Sequence, residues 1–469
     1  MWKDLRYLKL KISFPFETIL EPSLSPRLHS LSFSLIITKN KKKQMVSSNE
    51  RGSLVHSKRL SSVGPGRFSG HDIVYEPSGM DLATKLHYLR MIYYFPSQAF
   101  EGLTTRKIKE PMFTWFNHYN VTAGRFRRSE SGRPIIKCND CGVRMIEAQC
   151  EKTLDEWLEM KDSDSALERL LFSEQIIGPE LSFSPLVYLQ YTKFKCGGMA
   201  VGLSWAHVLG DAFSAAEFMN NLGRILAGKE PKISTQPKAK TQTIESPKQL
   251  IEDPLAVQQI GPVEDNWITV NNCKLETFSF HVTLDRLTKL SDKNGTEIPP
   301  FESLSAMIWK IIAKIRYDHE PKIVTICRKD ATKKEVGTLS NNSQVVSVVE
   351  VDFSIGKASH GELAAMLKNQ AKDERKKIED AMERAKGLAD FVLYGANLTF
   401  VDLEEAKFYE FEYSGINPVS ASCMIDGVGD NGAVFVLPGP KTGGARIVTV
   451  VLPEQEVEEF KSELKEWLA

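Results

Sequence analysis

The sequence has no excess of charge of either sign, and this absence argues against several classes of partner. Lys and Arg together number 60, and Asp and Glu also number 60, so the formal net charge is zero. Proteins that hold nucleic acid through bulk electrostatics carry a positive excess on the binding domain. We therefore expect no nucleic-acid partner, and the overall charge gives no reason to expect an anionic membrane as partner.

Long hydrophobic runs are also missing from the chain. No segment reaches the roughly 18 consecutive apolar residues that a membrane-spanning helix requires, so we expect no transmembrane span. Near the N-terminus, the apolar run Leu31–Ile37 includes two serines and is followed by lysines rather than by a small-residue cleavage site. It therefore makes a poor secretory signal.

Cysteine is scarce and unpatterned. The seven cysteines are odd in number and scattered, which is typical of a reducing compartment. Cys138 and Cys141 form a C-x-x-C pair, but no second Cys or His pair follows at zinc-binding spacing. We interpret both as ordinary thiols in a turn and expect no metal site. With no apolar span, the sequence predicts a cytoplasmic protein, which we expect to be a monomer.

The first 44 residues differ in charge from the rest of the chain. They hold nine Lys or Arg and three Asp or Glu, a net of +6, which leaves −6 for the remainder. A polar stretch, residues 46–70, then precedes the first patterned segment near Glu76. We interpret residues 1–75 as an N-terminal extension that is disordered, with residues 1–44 upstream of the true start. A targeting role for residues 1–44 is the alternative.

Strands and helices are predicted to alternate on both sides of one polar segment. This segment, residues 229–262, is rich in Lys, Pro, Thr and Gln and is interpreted as a long crossover. It separates residues 76–228, the predicted N-terminal domain, from residues 263–469, the predicted C-terminal domain. In the latter, the charged, Ala-rich residues 361–386 predict one long helix. Such alternation indicates α/β layers, so we expect two domains, each a mixed sheet flanked by helices.

The candidate catalytic residues lie in the segment CGGMAVGLSWAHVLGDAF, residues 196–213. Met199–Trp205 predicts a strand covered on both faces, because it is apolar at almost every position. Asp211–Leu226 predicts a helix with one apolar face. His207 lies between them, where it would reach a cleft, and its ordinary pKa of about 6.5 suits it to accept a proton from a hydroxyl. Asp211 would cap the helix or hold the loop.

Spacing alone does not establish a catalytic site here. With nine histidines, one chance H-x-x-x-D match is unremarkable, and a satisfied structural role for His207 stays open at this point. A second match, His281 and Asp285, is interpreted as structural, because His281 lies in a predicted strand and Asp285 caps the next helix. Residues 202–206 nearly match the nucleophile elbow of serine hydrolases, but the last glycine is absent and the serine lies in the strand.

Three segments, in order along the chain, carry a resemblance to a known family. The strand ending in Ser-Trp-Ala, then His207-x-x-x-Asp211 and an amphipathic helix, is similar to the signature of the BAHD acyl-CoA-dependent acyltransferases. Gly124–Ala148 is similar to a segment of that family's first domain, and Phe301–Trp309 (FESLSAMIW) is similar to the helix that opens its second domain. The similarity spans about residues 76–453.

The resemblance implies a fold and a chemistry. The fold would be two chloramphenicol-acetyltransferase-like α/β domains with a tunnel at their interface. His207 would lie midway along the tunnel as general base, deprotonating an acceptor hydroxyl or amine that attacks an acyl-CoA thioester. Asp211 would point away and support the loop. No cofactor or metal is implied, and acyl-CoA is the candidate co-substrate.

The sequence departs from the family at its second motif, Asp-Phe-Gly-Trp-Gly, which braces the CoA side of the tunnel. In its place stand residues 412–416, Glu-Tyr-Ser-Gly-Ile, where Glu412 could imitate the aspartate with one extra methylene. The loss of the motif leaves open whether the chain is an enzyme. Together with MDLATKLHY (80–88) and YGANLTFV (394–401), this departure resembles the eceriferum/glossy branch of the family.

That branch resemblance implies two alternative functions. Its members are linked to the extension of very-long-chain acyl groups for cuticular wax, with a 3-ketoacyl-CoA synthase at the cytosolic face of the endoplasmic reticulum. The favoured hypothesis is a non-catalytic partner of that synthase, in which the tunnel binds or shapes a long acyl chain. The alternative is an acyl-CoA-dependent O-acyltransferase that uses His207 on a hydroxy fatty acid or fatty alcohol.

Overall fold

Two large β-sheets make up the centre of the fold. The computed structural model describes residues 54–161, 164–233, 252–291, 298–333, 337–440 and 444–468. In these residues the strands are β1 Val55–Val63, β2 Val74–Tyr75, β3 Tyr88–Phe95, β4 Arg125–Arg128, β5 Pro134–Lys137, β6 Val143–Cys150, β7 Val187–Phe194, β8 Met199–Ala206, β9 Gln258–Ile260, β10 Leu275–Val282, β11 Ile323–Lys329, β12 Gln344–Glu350, β13 Lys372–Asp373, β14 Asp390–Val392, β15 Leu398–Asp402, β16 Ser420–Asp426, β17 Ala433–Pro438 and β18 Arg446–Pro453.

The helices surround these sheets. They are α1 Gly79–Ala83, α2 Thr105–His118, α3 Leu154–Lys161, α4 Ala212–Leu226, α5 Leu284–Ser291, α6 Pro300–Ile315, α7 His360–Asn369, α8 Arg375–Arg384 and α9 Glu454–Leu468. Among the described residues, none of these helices combines the length and the apolar character needed to cross a bilayer.

The first sheet has the strand order β1-β6-β7-β8-β3-β16. Neighbouring strands are antiparallel except β6 and β7, which are parallel. Helices α2 and α4 cover one face, and α3 with the 3₁₀ segment Ser165–Leu171 covers the other. Every residue of β8 after Met199 is therefore buried, which confirms the strand expected there. Gly202 allows the 3₁₀ segment to pack closely on β8, since a Cβ at this position would lie 2.0 Å from the backbone oxygen of Leu171.

The second sheet has the strand order β10-β18-β17-β15-β11-β12-β13. It is mixed, because β15 runs parallel to both β11 and β17 while the other pairs are antiparallel. Helices α6, α7 and α9 pack on one face and form a separate core around Trp309 and Phe460. Two small sheets, β2-β5-β4 and β9-β14, complete the pairing.

The two sheets are tied together by the path of the chain. β16 follows β15 of the second sheet, yet it pairs with β3 at the edge of the first sheet, with Ser420 opposite Tyr94. One hydrophobic core then runs through both halves, from Trp205 of β8 to Phe435 of β17. Residue contacts group Met45–Ala469 into one compact unit.

Three expectations about segments need correction. β1 lies within the predicted extension 1–75. It was missed because an edge strand that is exposed along most of its length shows little apolar alternation. The predicted helix 361–386 is two helices, α7 and α8, separated where Lys372 and Asp373 pair with β12. In the predicted crossover 229–262, β9 pairs with β14, and residues 234–251 lie outside the described residues.

Candidate functional site

The loop after β8 positions His207 and Asp211 between the two sheets. β8 ends at Ala206, a single 3₁₀ turn spans His207–Leu209, and Gly210 then adopts a φ of 155°. A Cβ at Gly210 would lie 2.9 Å from the backbone nitrogen of Ser340. The glycine therefore allows this turn to pack directly against a segment of the second half of the chain.

Asp211 is the N-cap of α4. Its Oδ1 accepts a hydrogen bond from the backbone N–H of Ser214 at 2.9 Å, and its own N–H donates to the Ser340 carbonyl at 3.1 Å. Oδ2 is buried and has no hydrogen-bond partner among the residues that the structure describes. Burial raises the pKa of Asp211 to about 7, against the bonds from Ser214, which favour the charged form. This geometry is consistent with the predicted role of Asp211, which is to support the loop.

The imidazole of His207 is fully enclosed. The residue has no exposed surface, and Nε2 lies 2.9 Å from the hydroxyl of Tyr394. Nδ1 is buried, and no hydrogen-bond partner for it lies in the described part of the chain. Burial lowers the pKa of His207 to about 4, so the ring is neutral at physiological pH. The side chain is therefore uncharged and already engaged at one nitrogen.

Tyr394 closes the space in which a tunnel past His207 was expected. The Tyr394 ring centroid lies 5.4 Å from that of His207, and its hydroxyl also receives a hydrogen bond from Gln344 Nε2 at 3.0 Å. Tyr394 has no exposed surface either, and burial raises its pKa well above the ordinary value. The expectation of an open channel at the imidazole is therefore wrong for this structure.

A second histidine, His87, shares this enclosure. Its ring centroid lies 6.3 Å from that of His207 and 4.9 Å from that of Tyr394. Its Nε2 accepts from the backbone N–H of Leu393 at 3.0 Å, and its carbonyl accepts from the N–H of His207 at 3.0 Å. Burial, then the nearby His207, lowers the pKa of His87 to about 3. The site thus contains two neutral imidazoles and one phenol.

Asn341 and Asp81 fix the backbone of the His207 loop. Asn341 Nδ2 lies 2.9 Å from the His207 carbonyl and 2.9 Å from Asp81 Oδ1, and it donates to both. Asp81 in turn completes a capping box with Ser78 at the start of α1, and Tyr75 donates its hydroxyl to Asp81 Oδ2. No local pattern in the sequence pointed to this contact between Asp81, Asn341 and the loop.

The segment that replaces the family's second motif is a tight turn. Tyr413 and Ile416 exchange backbone hydrogen bonds at 2.9 and 2.8 Å, and Ser414 and Gly415 have φ angles of 49° and 79°. The ring of Tyr413 is buried, with its centroid 4.2 Å from that of Phe100. The turn is therefore anchored in an aromatic cluster.

Glu412, which could have imitated the motif's aspartate, lies at the surface. Its carboxylate is 3.5 Å from Lys229 Nζ, and the two side chains are 35% and 55% exposed. Its backbone packs on Gly223 of α4, where a Cβ would lie 2.5 Å from the Glu412 oxygen.

A small polar cleft lies beside the first turn of α4. Its volume is about 90 Å³, and Lys329, Lys333 and Lys407 line it together with Ser214 and Glu217. Lysine ammonium groups bind phosphate as point charges. Glu405 also lines the cleft and lies 3.5 Å from Lys329, and Glu410 lies 3.5 Å from Lys407. The three lysines are the candidates for contact with the phosphates of an acyl-CoA, in exchange for these pairs.

Comparison with known proteins agrees with this architecture. The Transferase family matches residues 78–467, most of the chain. The chain belongs to this family. The BAHD acyltransferase resemblance read from the sequence is thereby confirmed. Among relatives, ECERIFERUM 26 of Arabidopsis thaliana is 42% identical over 415 residues, which cover 88% of this chain and 96% of that protein.

Two further comparisons extend the family assignment. ECERIFERUM 2 of Arabidopsis thaliana is 39% identical over 427 residues, covering 88% of this chain and 98% of that protein. The crystal structure of F. sporotrichioides TRI101 with coenzyme A and T-2 has a TM-score of 0.63 at 15% identity, covering 84% of this chain and 98% of that one. The latter shows the shared fold and confirms the expected two-domain α/β class.

Proposed function

We propose that this protein promotes very-long-chain fatty-acid elongation for cuticular wax, as a non-catalytic partner of a 3-ketoacyl-CoA synthase. The wax role is supported by the identity to ECERIFERUM 26 and ECERIFERUM 2 over 88% of the chain. The proposal includes action at the cytosolic face of the endoplasmic reticulum, as a monomer that contacts a long acyl chain or acyl-CoA.

One observation carries the non-catalytic part of the proposal. A general base must come within hydrogen-bond reach of the proton that it removes. His207 Nε2 is instead 2.9 Å from the Tyr394 hydroxyl, and neither residue has exposed surface. An acceptor hydroxyl would have to displace Tyr394, break its hydrogen bond with Gln344 and open a path to the ring.

The turn at residues 412–416 supports the same conclusion independently. Tyr413 is buried among aromatic side chains, and the Glu412 carboxylate pairs with Lys229 at the surface. The segment therefore contributes to the stability of the fold. The residues that would brace CoA in the family pattern are absent from it.

The test is co-expression with a condensing enzyme in a host that lacks cuticular wax, followed by acyl-chain profiling. We expect the wild type to lengthen the products relative to the synthase alone. His207→Gln retains a hydrogen-bonding partner for Tyr394, and His207→Ala removes it. Both variants should leave the chain-length profile unchanged at equal protein level. Loss of the longest products in both variants would contradict the proposal.

The second candidate function is acyl-CoA-dependent O-acyl transfer to a hydroxy fatty acid or fatty alcohol. It is favoured by the presence of His207 and by the cleft lined by Lys329, Lys333 and Lys407 beside the same loop. It predicts that purified protein releases free CoA from an acyl-CoA in the presence of a hydroxylated acceptor. Absence of release across a panel of chain lengths, with folded protein, would retire this candidate.

A further inference from the structure

A cavity lies in the seam between the two sheets. Its volume is about 330 Å³. Ile425 and Asp426 of β16 line it from the first sheet, and Leu275 of β10 and Val451 of β18 line it from the second. Ligand pockets occupy roughly 300–1,000 Å³, so this space, termed the seam cavity, suits one small or slender occupant.

Aliphatic side chains form the largest single group in the walls of the seam cavity. Seven of the fifteen lining residues are aliphatic, among them Leu86, Ile176, Ile268, Leu275, Ile425 and Val451. The segment at its rim is also apolar at the surface, since Ile268 is 44% exposed and Val270, two residues on, is 81% exposed. Water gains nothing from such walls, and covering them with an apolar ligand is favourable.

Polar side chains on the walls already have partners within the protein. Thr269 Oγ1 donates to the Gly427 carbonyl at 3.0 Å, and Asn271 Nδ2 donates to the Val428 carbonyl at 2.8 Å. A polar ligand would have to break these bonds to form its own, with little net gain. An aliphatic chain requires no such exchange.

The charged groups at one end of the cavity also compensate one another. Asp426 is 2.8 Å from Arg169 Nη2 and 2.9 Å from Arg90 Nε, and Arg169 Nη1 is 2.7 Å from Glu174. Two guanidinium groups thus face two carboxylates. The cluster has no net charge with which to select an anionic or a cationic head group.

The seam cavity is separate from the surroundings of His207. Leu86 and Tyr88 line the cavity, whereas the ring of His87 between them accepts a hydrogen bond from Leu393 and lies 6.3 Å from the His207 ring, centroid to centroid. His207 itself is not among the lining residues. An occupant of the cavity would therefore lie behind the start of β3, away from the imidazole.

We propose that the seam cavity binds one unbranched aliphatic chain, recognised by its methylene groups rather than by its head group. The aliphatic part of the wall and the polar groups that are already paired within the protein favour this class of ligand. The class of ligand rests on the proposed function, which includes contact with a long acyl chain, whereas the site is separate from the acyl-transfer residues, because neither His207 nor Asp211 lines it.

The first test uses purified full-length protein and cis-parinaric acid, a slender fatty acid that fluoresces when it enters an apolar site. We expect saturable binding to one site per chain, and displacement by dodecanol and dodecanoate at similar concentrations. Absence of saturable binding would overturn the proposal. Displacement by dodecanoate alone would overturn it as well, because the head group would then be what the protein recognises.

Substitutions at the rim locate the bound chain. Ile268→Trp narrows the mouth and Ile268→Gln makes the wall polar, so each should weaken parinaric acid binding by about tenfold or more. Val270→Trp is the matched control, since Val270 lies on the same segment but does not line the cavity. It should bind within about twofold of the wild type. Equal weakening in all three variants, or in none, would contradict the assignment.

A measurement on the wild type keeps the test independent of substitutions. Cys273 lines the cavity, whereas Cys141 and Cys196 are exposed elsewhere. Dodecanol should slow the reaction of Cys273 with N-ethylmaleimide, read by peptide mass spectrometry, and leave Cys141 and Cys196 unchanged. Equal rates at Cys273 with and without dodecanol, at saturating concentration, would show that the chain binds elsewhere.

Discussion

The loop at His207 and the turn at residues 412–416 are the two places where the family's chemistry was expected, and they are closed in different ways. The first keeps the family residues but encloses them through hydrogen bonds, with the Tyr394 hydroxyl on His207 Nε2. The second has lost the family residues and is closed by the volume of the Tyr413 ring against Phe100. The first closure depends on one side chain, Tyr394, so that a single substitution can open it, whereas the second is shared by several packed rings.

The largest loss of folding stability is expected from substitutions in the turn at residues 412–416. Tyr413→Ala removes a buried ring from the aromatic cluster and should lower the free energy of unfolding by about 3–5 kcal/mol, as for other buried aromatic truncations. Tyr413→Phe keeps the ring and should stay within about 1.5 kcal/mol of the wild type. Chemical denaturation measures both. Similar losses in the two variants would show that the hydroxyl, not the ring, holds the turn.

The next effect concerns the cap beside His207. Asp211→Ala removes the bond to the Ser214 N–H and should cost about 0.5–2 kcal/mol, whereas asparagine can still cap α4. The pKa of Asp211 is raised from 3.8 to about 7 by burial, so the fold favours the protonated carboxyl. This contribution to stability is fully present below pH 4 and is lost as the pH rises through about 7.

The pH dependence separates Asp211 from its asparagine variant. Asp211→Asn cannot titrate, so the wild-type advantage in unfolding free energy should shrink between pH 5 and pH 8. Denaturation curves of the two proteins at several pH values provide the check. A difference that is constant across this range would mean that the Asp211 carboxyl is charged in the fold at pH 5.

A smaller change is expected from opening the hydrogen bond at His207. Tyr394→Phe removes the hydroxyl shared by His207 and Gln344 and should cost about 0.5–1.5 kcal/mol. The ring remains, so the site stays enclosed and no release of CoA should appear. Tyr394→Ala, by contrast, vacates the space beside Nε2, and NMR titration should show the pKa of His207 moving up from about 4. An unchanged titration in the alanine variant would show that other groups bury the imidazole.

The smallest effect is expected at Glu412. Its ion pair with Lys229 is solvent-exposed, and such pairs contribute about 0.2–1 kcal/mol. Glu412→Ala and Lys229→Ala should therefore be nearly neutral in denaturation, and the double variant should lose less than the sum of the two single losses, by the small energy of the pair. A loss above about 2 kcal/mol in either single variant would mean that this carboxylate has a role that the contact with Lys229 does not account for.

Local patterns in the sequence were sufficient to predict the strand and the helix on either side of His207. The apolar run of β8 and the single apolar face of α4 depend on neighbours within a few residues, so strand, loop and helix were predicted to within a residue at each end. The position of His207 between them followed directly. The positions of such strands and helices can be predicted from hydrophobic periodicity.

The residues that enclose His207 and form hydrogen bonds with it could not be predicted from local sequence patterns. Tyr394 and Gln344 lie far along the chain and reach His207 only because the two halves fold against each other. Tyr394 falls within the stretch YGANLTFV that resembles the eceriferum branch, which was a signal of relationship but not of contact. Asn341 similarly carries no local pattern that points to the His207 carbonyl. Hydrophobic periodicity does not predict which polar side chains, distant along the chain, form hydrogen bonds with each other.

The exchange of β16 between the two halves affects how the protein can be made. Because Ser420–Asp426 supplies the last strand beside β3, the first half cannot complete its sheet until nearly the whole polypeptide has left the ribosome. Until then, β3 offers an unpaired edge to any other extended chain. A truncation just before residue 420 should therefore yield aggregates rather than an isolated N-terminal domain.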